Sequence, residues 1–193
     1  VIRKNFNSLG FYEVEYPIIS PAIVWKASGH LDGFNDPVVL TEDGKESYRA
    51  DKLIEEITGM QADHFSDEEL IKTIKEKNIK APNGKKLAPK IGRHSLMMRT
   101  TIGANIEAYN RPETATTTYL PFKNYMNFFR DKLPFGVFQI GKAFRNEISP
   151  RQHLLRSREF TQAESQTILF PEMKQNWERF EKSKKDKLPF WSE

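Results

Sequence analysis

No cysteine occurs in the 193 residues, which excludes disulfides, thiol nucleophiles and cysteine-based zinc sites. No apolar run is long enough to cross a bilayer, and no charged-then-apolar leader opens the chain. A strong excess of one charge is missing too: 30 basic against 26 acidic residues leave a net +4, only a weak bias toward a polyanionic partner. No internal repeat is found. What is present is a composition of 38% hydrophobic and 12% aromatic residues, enough for a packed core and too much for disorder. The length fits one ordinary domain with room for an inserted subdomain. The opening VIRKNFNSLGF starts at Val1 in the manner of a helix already under way, so a missing N-terminus is expected. The composition reads as a soluble, cytoplasmic piece of something larger.

In that opening, Ile2, Phe6 and Leu9 share one stripe and Gly10 is the expected stop. EVEYPIIS alternates toward strand, with Pro17 and Pro21 marking an edge. WKASGHLDGFNDP is turn-rich. From Tyr48 to Ile79 the pattern becomes helical and highly charged. SDEEL predicts a helix start there, with Ser66 as N-cap and Glu69 closing a capping box. APNGKK is a turn. FKNYMNFFRDKLPF predicts a helix that Pro134 closes, FGVFQIGKAF a buried strand and REFTQAESQTILF the next one. The expected division is a first core part over 1–48, a small helical insertion over 49–90, a second core part over 91–170 and a polar tail over 171–193.

FRNEISPRQHLLRSREF, residues 144–160, crowds four arginines and two glutamates between two phenylalanines. If the flanking strands pair across a turn at Ser149 and Pro150, Arg145 and Glu147 share one face. Arg156, Arg158, Phe160, Gln162 and Glu164 share a face of the return strand. Such a surface suits a nucleotide. Arginine forks bind phosphate, an aromatic ring stacks on a base, and a carboxylate accepts from an amine. The same pattern also fits a solvated ladder of ion pairs, each contributing ~0–1 kcal/mol. Charge pattern alone leaves both open.

FRNE followed by a loop and RSREF resembles motif 2 of the class II aminoacyl-tRNA synthetases, Phe-Arg-x-Glu then Arg-x-x-x-Phe. WKASGHLDGFNDP, YRADKLIEE, RPETA and LPFGVFQIGKAFRNEISPRQHLLRSREFTQAE resemble, in order, segments of the dimeric archaeal and eukaryotic glycyl-tRNA synthetases. The likeness covers residues 16 to 170. It implies an α+β catalytic core, an antiparallel sheet flanked by helices, here incomplete and carrying a small helical insertion. It implies ATP-dependent conversion of glycine to glycyl-adenylate, followed by transfer to tRNA(Gly). Arg145 would hold the α-phosphate and the glycine carboxylate where charge builds in the transition state. Glu147 would face the adenine amine, Phe160 would stack under the base, and Arg156 would reach the outer phosphates with Mg2+ bridging them. Glu113 and Glu164 would surround the glycine ammonium, since a substrate without a side chain offers only its two charged ends. Arg151, Gln152 and His153 would touch the tRNA acceptor end. No residue is expected to ligate a metal. Pro21 matches the motif 1 proline, which implies a homodimer. His30 reads as a hydrogen-bonding turn residue rather than a catalytic one.

Two departures stand out. Thr116 and Thr117 replace the glutamine and glycine usual after RPETA, close to where the substrates would lie. The glycine-rich motif 3 and an anticodon-reading domain do not appear. The rival reading is a synthetase-derived non-catalytic protein that binds nucleic acid or assists a polymerase. The persistence of Arg145, Glu147, Glu113, Glu164, Arg156 and Phe160 favours the enzyme.

Overall fold

The computed structural model describes residues 1–148, 156–175, 178–187 and 189. The described chain forms two compact units, and each is built from segments far apart in sequence.

The first unit comprises residues 1–16, 114–141 and 163–193. Helix α1, Ile2–Ser8, ends where Gly10 takes the left-handed φ of 78°, a conformation that favours glycine. Strand β1, Tyr12–Glu13, pairs in parallel with β8, Phe135–Phe144, through Tyr12 opposite Val137 and Glu13 opposite Phe138. Strand β9, Glu159–Ile168, lies on the other side of β8. Both long strands continue into the second unit. The expected strand over EVEYPIIS is two short pieces: β1, and β2 at Ile19–Pro21, which joins a different sheet. Pro17 lies between them and has no amide hydrogen to extend a ladder.

Helix α6 covers Ala115–Tyr119 and α7 covers Phe122–Phe128. Helix α7 stops well short of Pro134. Arg130 and Asp131 take positive φ values of 52° and 56°, and the Asp131 amide donates back to the Met126 carbonyl at 2.9 Å. The chain reverses without a glycine, so the sequence carried no stop signal there. Tyr125, Phe135 and Val137 are buried, with Val14, Met126, Phe129, Leu133 and Ile168 packed around them. Phe129 stacks on Phe135 at 4.2 Å. The Tyr125 hydroxyl is buried without a hydrogen-bond partner among the described residues, and burial pushes its pKa up to about 12.

The second unit comprises residues 17–113 and 142–162. Strand β2 is the edge of the antiparallel sheet β2-β7-β6, with β6 at Met98–Ile102 and β7 at Ile106–Asn110. Edge placement suits the proline at its end. Helices α2, Ala22–Ala27, and α3, His30–Gly33, follow β2. A second antiparallel sheet, β4-β3-β5, uses Asn35–Thr41 as β3, Ser47–Arg49 as β4 and Leu87–Ser95 as β5.

Helices α4, Ala50–Thr58, and α5, Asp67–Glu76, cover this sheet. Their apolar stripes place Leu53, Ile54, Leu70 and Ile74 in one core with Val39, Ala50 and Leu87. The capping box that starts α5 is complete. The Ser66 hydroxyl accepts from the Glu69 amide at 3.3 Å, and the Glu69 carboxylate accepts from the Ser66 amide at 2.7 Å. That bond lowers the Glu69 pKa. No helix among the described residues is long and apolar enough to cross a membrane.

Candidate functional site

Beyond β7 the chain runs straight into Arg-Pro-Glu, and backbone bonds decide where these residues lie. The Arg111 amide donates to the Ile18 carbonyl at 2.8 Å, while its own carbonyl accepts from the Phe144 amide at 2.9 Å. Its side-chain Nε donates to the Lys142 carbonyl at 2.7 Å. Residues 111–113 are thereby laid against residues 142–145, which gathers the two motifs in the second unit.

Arg145 completes this seam. Its Nε donates to the Pro112 carbonyl at 3.1 Å. Its guanidinium carbon lies 5.3 Å from the ring centroid of Phe34 and 5.3 Å from that of Phe160. Two aromatic faces therefore cradle one cation, within the range of cation–π attraction. Phe34, from the turn-rich stretch before β3, is the half of the cradle that the sequence pattern does not reveal.

Glu147 and Arg156 form an ion pair, Nε to Oε2 at 3.3 Å, with the carboxylate mostly buried. Arg158 supports the same point from the backbone side. Its carbonyl accepts from the Arg145 amide at 2.9 Å, and its Nε donates to the Glu147 carbonyl at 3.0 Å. Asn146 is fixed separately, its amide donating to Leu96 and its carbonyl 2.6 Å from His94 Nε2.

A buried charge cluster lies in the same unit. Arg49 meets Asp51 through Nε and Nη2, at 3.0 and 2.5 Å, and its Nη1 stands 3.4 Å from Asp36 Oδ2. That oxygen is in ionic contact but has no hydrogen bond among the described residues. Burial raises the Asp36 carboxyl pKa, Arg49 opposes the rise, and Asp51 and Glu147 add to it. The paired Asp51 raises the Arg49 pKa. YRAD and FNDP contain these residues, but their partnership was not visible at their spacing.

Glu113 is half-buried and stands 3.3 Å from His30 Nε2. The other ring nitrogen of His30, Nδ1, is 2.8 Å from the Ser28 hydroxyl. His30 does make hydrogen bonds, as read from its turn, but it also has a carboxylate partner that the sequence did not reveal.

Glu164 belongs to the first unit. Its Oε2 accepts from the Thr114 hydroxyl at 3.3 Å and its Oε1 from the Gln166 amide at 2.6 Å. The Tyr119 hydroxyl bonds the Gln166 carbonyl oxygen in turn. Of the two unusual threonines, Thr116 is half-buried and Thr117 is buried, with Thr118 next to it. Thr117 and Thr118 are buried, and their hydroxyls lie 3.0 and 3.3 Å from the Gln139 side-chain oxygen. Both also lie within reach of the Thr114 carbonyl. The Thr117 hydroxyl thus bonds within the protein interior. Arg151, Gln152 and His153, with the Ser149-Pro150 turn, lie outside the described residues. Among the described residues no group of three or more His, Asp or Glu is gathered to hold a metal ion.

Residues 101–193 match the tRNA synthetase class II core domain (G, H, P, S and T). The chain is 45% identical over 181 residues to the glycine--tRNA ligase of Methanothermobacter thermautotrophicus, covering 93% of this chain and 32% of that protein. It is 46% identical over 189 residues to that of Thermococcus gammatolerans, covering 97% and 33%. The chain therefore spans about one third of the length of these curated relatives. Among solved structures, the RNA binding domain of threonyl-tRNA synthetase from Cryptosporidium parvum superposes with a TM-score of 0.55 at 20% identity, over 95% of this chain and 30% of that one. A threonyl-tRNA synthetase from Aeropyrum pernix gives 0.52 at 21% identity, over 95% and 28%. Those likenesses establish the fold, an α+β arrangement of helices and small antiparallel sheets with, among the described residues, one parallel pairing.

Proposed function

We propose, for a chain homologous along nearly its whole length to the glycine--tRNA ligases and carrying the class II core, the activation of glycine by ATP as part of a longer protein. In that reaction a glycine carboxylate oxygen attacks the α-phosphorus of ATP. The bond to the bridging oxygen breaks and its electron pair leaves with pyrophosphate. The terminal ribose hydroxyl of tRNA(Gly) then attacks the glycyl carbonyl, releasing AMP, which carries away the hydroxyl proton.

The observation that carries this reading is the seam between residues 111–113 and 142–145, with Arg145 tied to the Pro112 carbonyl and held between Phe34 and Phe160. A guanidinium fixed in this way is pre-oriented, so it can meet the growing negative charge at the α-phosphate without reorganising. Glu147 would accept from the adenine amine and Phe160 would stack beneath the ring. Arg156 would grip the outer phosphates, which requires its ion pair with Glu147 to open. Glu113 and Glu164 would receive the glycine ammonium. A carboxylate suits a substrate whose only handles are its two charged ends, and exclusion of alanine would come from lack of room for its methyl group. Mg2+ would accompany the polyphosphate and share its negative charge. Arg151, Gln152 and His153 would serve the tRNA acceptor end. A homodimer and a cytoplasmic location belong to the same proposal.

ATP–pyrophosphate exchange in the full-length protein tests it. Exchange should depend on glycine. Exchange driven by alanine or serine instead would reject the substrate, and duplex DNA binding without any exchange would favour the non-catalytic rival.

A further inference from the structure

We infer that His30 is a positioning residue that orients the Glu113 carboxylate, with Ser28 setting the tautomer of the imidazole. The inference rests on the proposal that Glu113 receives the glycine ammonium.

For a neutral ring the geometry selects the tautomer. Nδ1 of His30 lies 2.8 Å from the Ser28 hydroxyl and Nε2 lies 3.3 Å from Glu113 Oε1. If the neutral ring carried its proton on Nδ1, the Nε2 lone pair would face the carboxylate, two acceptors opposed. With the Ser28 hydroxyl donating to Nδ1, the proton sits on Nε2 and donates to Glu113. The Ser28 hydroxyl has an alternative acceptor in the Trp25 carbonyl, but at the longer 3.3 Å.

The ring itself is confined. Trp25, fully buried, meets it edge-on with centroids 5.5 Å apart, and Phe34 does the same from 5.7 Å. Gly29, at φ 79°, is the left-handed residue that turns the chain from α2 into α3 and delivers His30 to this slot. Phe34 is also one of the two rings cradling Arg145. One aromatic wall thus serves both the histidine that aims a carboxylate and the arginine that would meet the phosphate. A carboxylate with one oxygen held by a confined donor has its plane set before substrate arrives, which lowers the cost of orienting it on binding.

The test uses glycine-dependent ATP–pyrophosphate exchange in the full-length protein, with His30→Gln, His30→Asn, His30→Ala and Ser28→Ala. A glutamine amide reaches the place of Nε2, whereas an asparagine amide reaches only that of Nδ1. His30→Ala and His30→Asn should raise the KM for glycine about tenfold, with the KM for ATP and the kcat changed less than about twofold. His30→Gln should recover most of that loss, and Ser28→Ala should raise the glycine KM about threefold. Should the alanine variant not fold, the contrast between glutamine and asparagine decides. Equal behaviour of those two variants, or equal loss toward ATP and glycine, overturns the positioning role while leaving the enzyme reading intact. Absence of glycine-dependent exchange in the unaltered protein overturns both.

Discussion

The Nε of Arg145 donates to the carbonyl of Pro112 at 3.1 Å, so a side chain of one motif is braced by the backbone of another. Bracing through Nε leaves the terminal guanidinium nitrogens directed by the Phe34 and Phe160 rings. Lysine has no equivalent of Nε and no plane to lie between rings. Arg145→Lys should therefore lower glycine-dependent exchange by about 10²–10³-fold, and Arg145→Ala should abolish it. Steady-state exchange rates at saturating ATP and glycine measure both.

Gly136 lies in β8 with the Phe11 ring almost upon it. A Cβ built there would stand 2.5–2.8 Å from three ring carbons. Phe11 is itself packed near Phe6, which leans on Phe138, so the ring cannot simply step aside. Gly136→Ala should cost about 1–3 kcal/mol, read as a lowered urea midpoint with unchanged slope. Combining it with Phe11→Leu should recover part of the loss.

Thr117→Val keeps the side-chain shape and removes the hydroxyl that faces Gln139 and the Thr114 carbonyl. Buried acceptors then lose a donor, at about 1–3 kcal/mol. Thermal unfolding should show the loss, and the glycine KM should stay close to its original value because that hydroxyl bonds inward.

Stability should fall in acid through a group that is not among the candidate site residues. Lys85 and Thr41 hold the Asp43 carboxyl down to about 2. A lowered folded pKa means stabilisation that is whole above the ordinary carboxylate range and lost as pH falls from about 4 toward 2. Asp36 has the opposite sign. Its raised carboxyl pKa means that folding is penalised as pH rises through the folded value and the buried group ionises. In urea titrations across this range, Asp43→Asn should flatten the acid slope and Asp36→Asn should steepen it.

Local structure was legible wherever the deciding partner lay close in sequence. The capping box of α5 needs Ser66 and Glu69, three residues apart, and both of its bonds form. The bounds of β8 and most of β9 followed from their apolar and aromatic runs. The end of α7 was not legible, because Arg130 and Asp131 adopt a glycine-like backbone that their side chains do not advertise. EVEYPIIS reads as one strand, yet its two halves are claimed by different sheets, a tertiary decision that overrides local alternation. In the candidate site, residue types could be named from motif likeness, but their partnerships could not. His30 and Glu113 meet across more than eighty positions, and the Arg49 link to Asp36 forms only once β3 and β4 are paired. Pairing at a distance is set by topology, which composition and spacing do not encode.

Thr117 and Thr118 share two acceptors, the Gln139 side-chain oxygen and the Thr114 carbonyl, so positions 117, 118 and 139 cannot drift independently. Grafting a glutamine and a glycine at 116 and 117 would strip one donor from Gln139, a loss that a compensating exchange at 118 or 139 would offset. Lineages carrying the triple-threonine run are accordingly expected to keep Gln139 and to resist piecemeal reversion. A hybrid protein assembled across this helix should inherit either all of the trio or none of it.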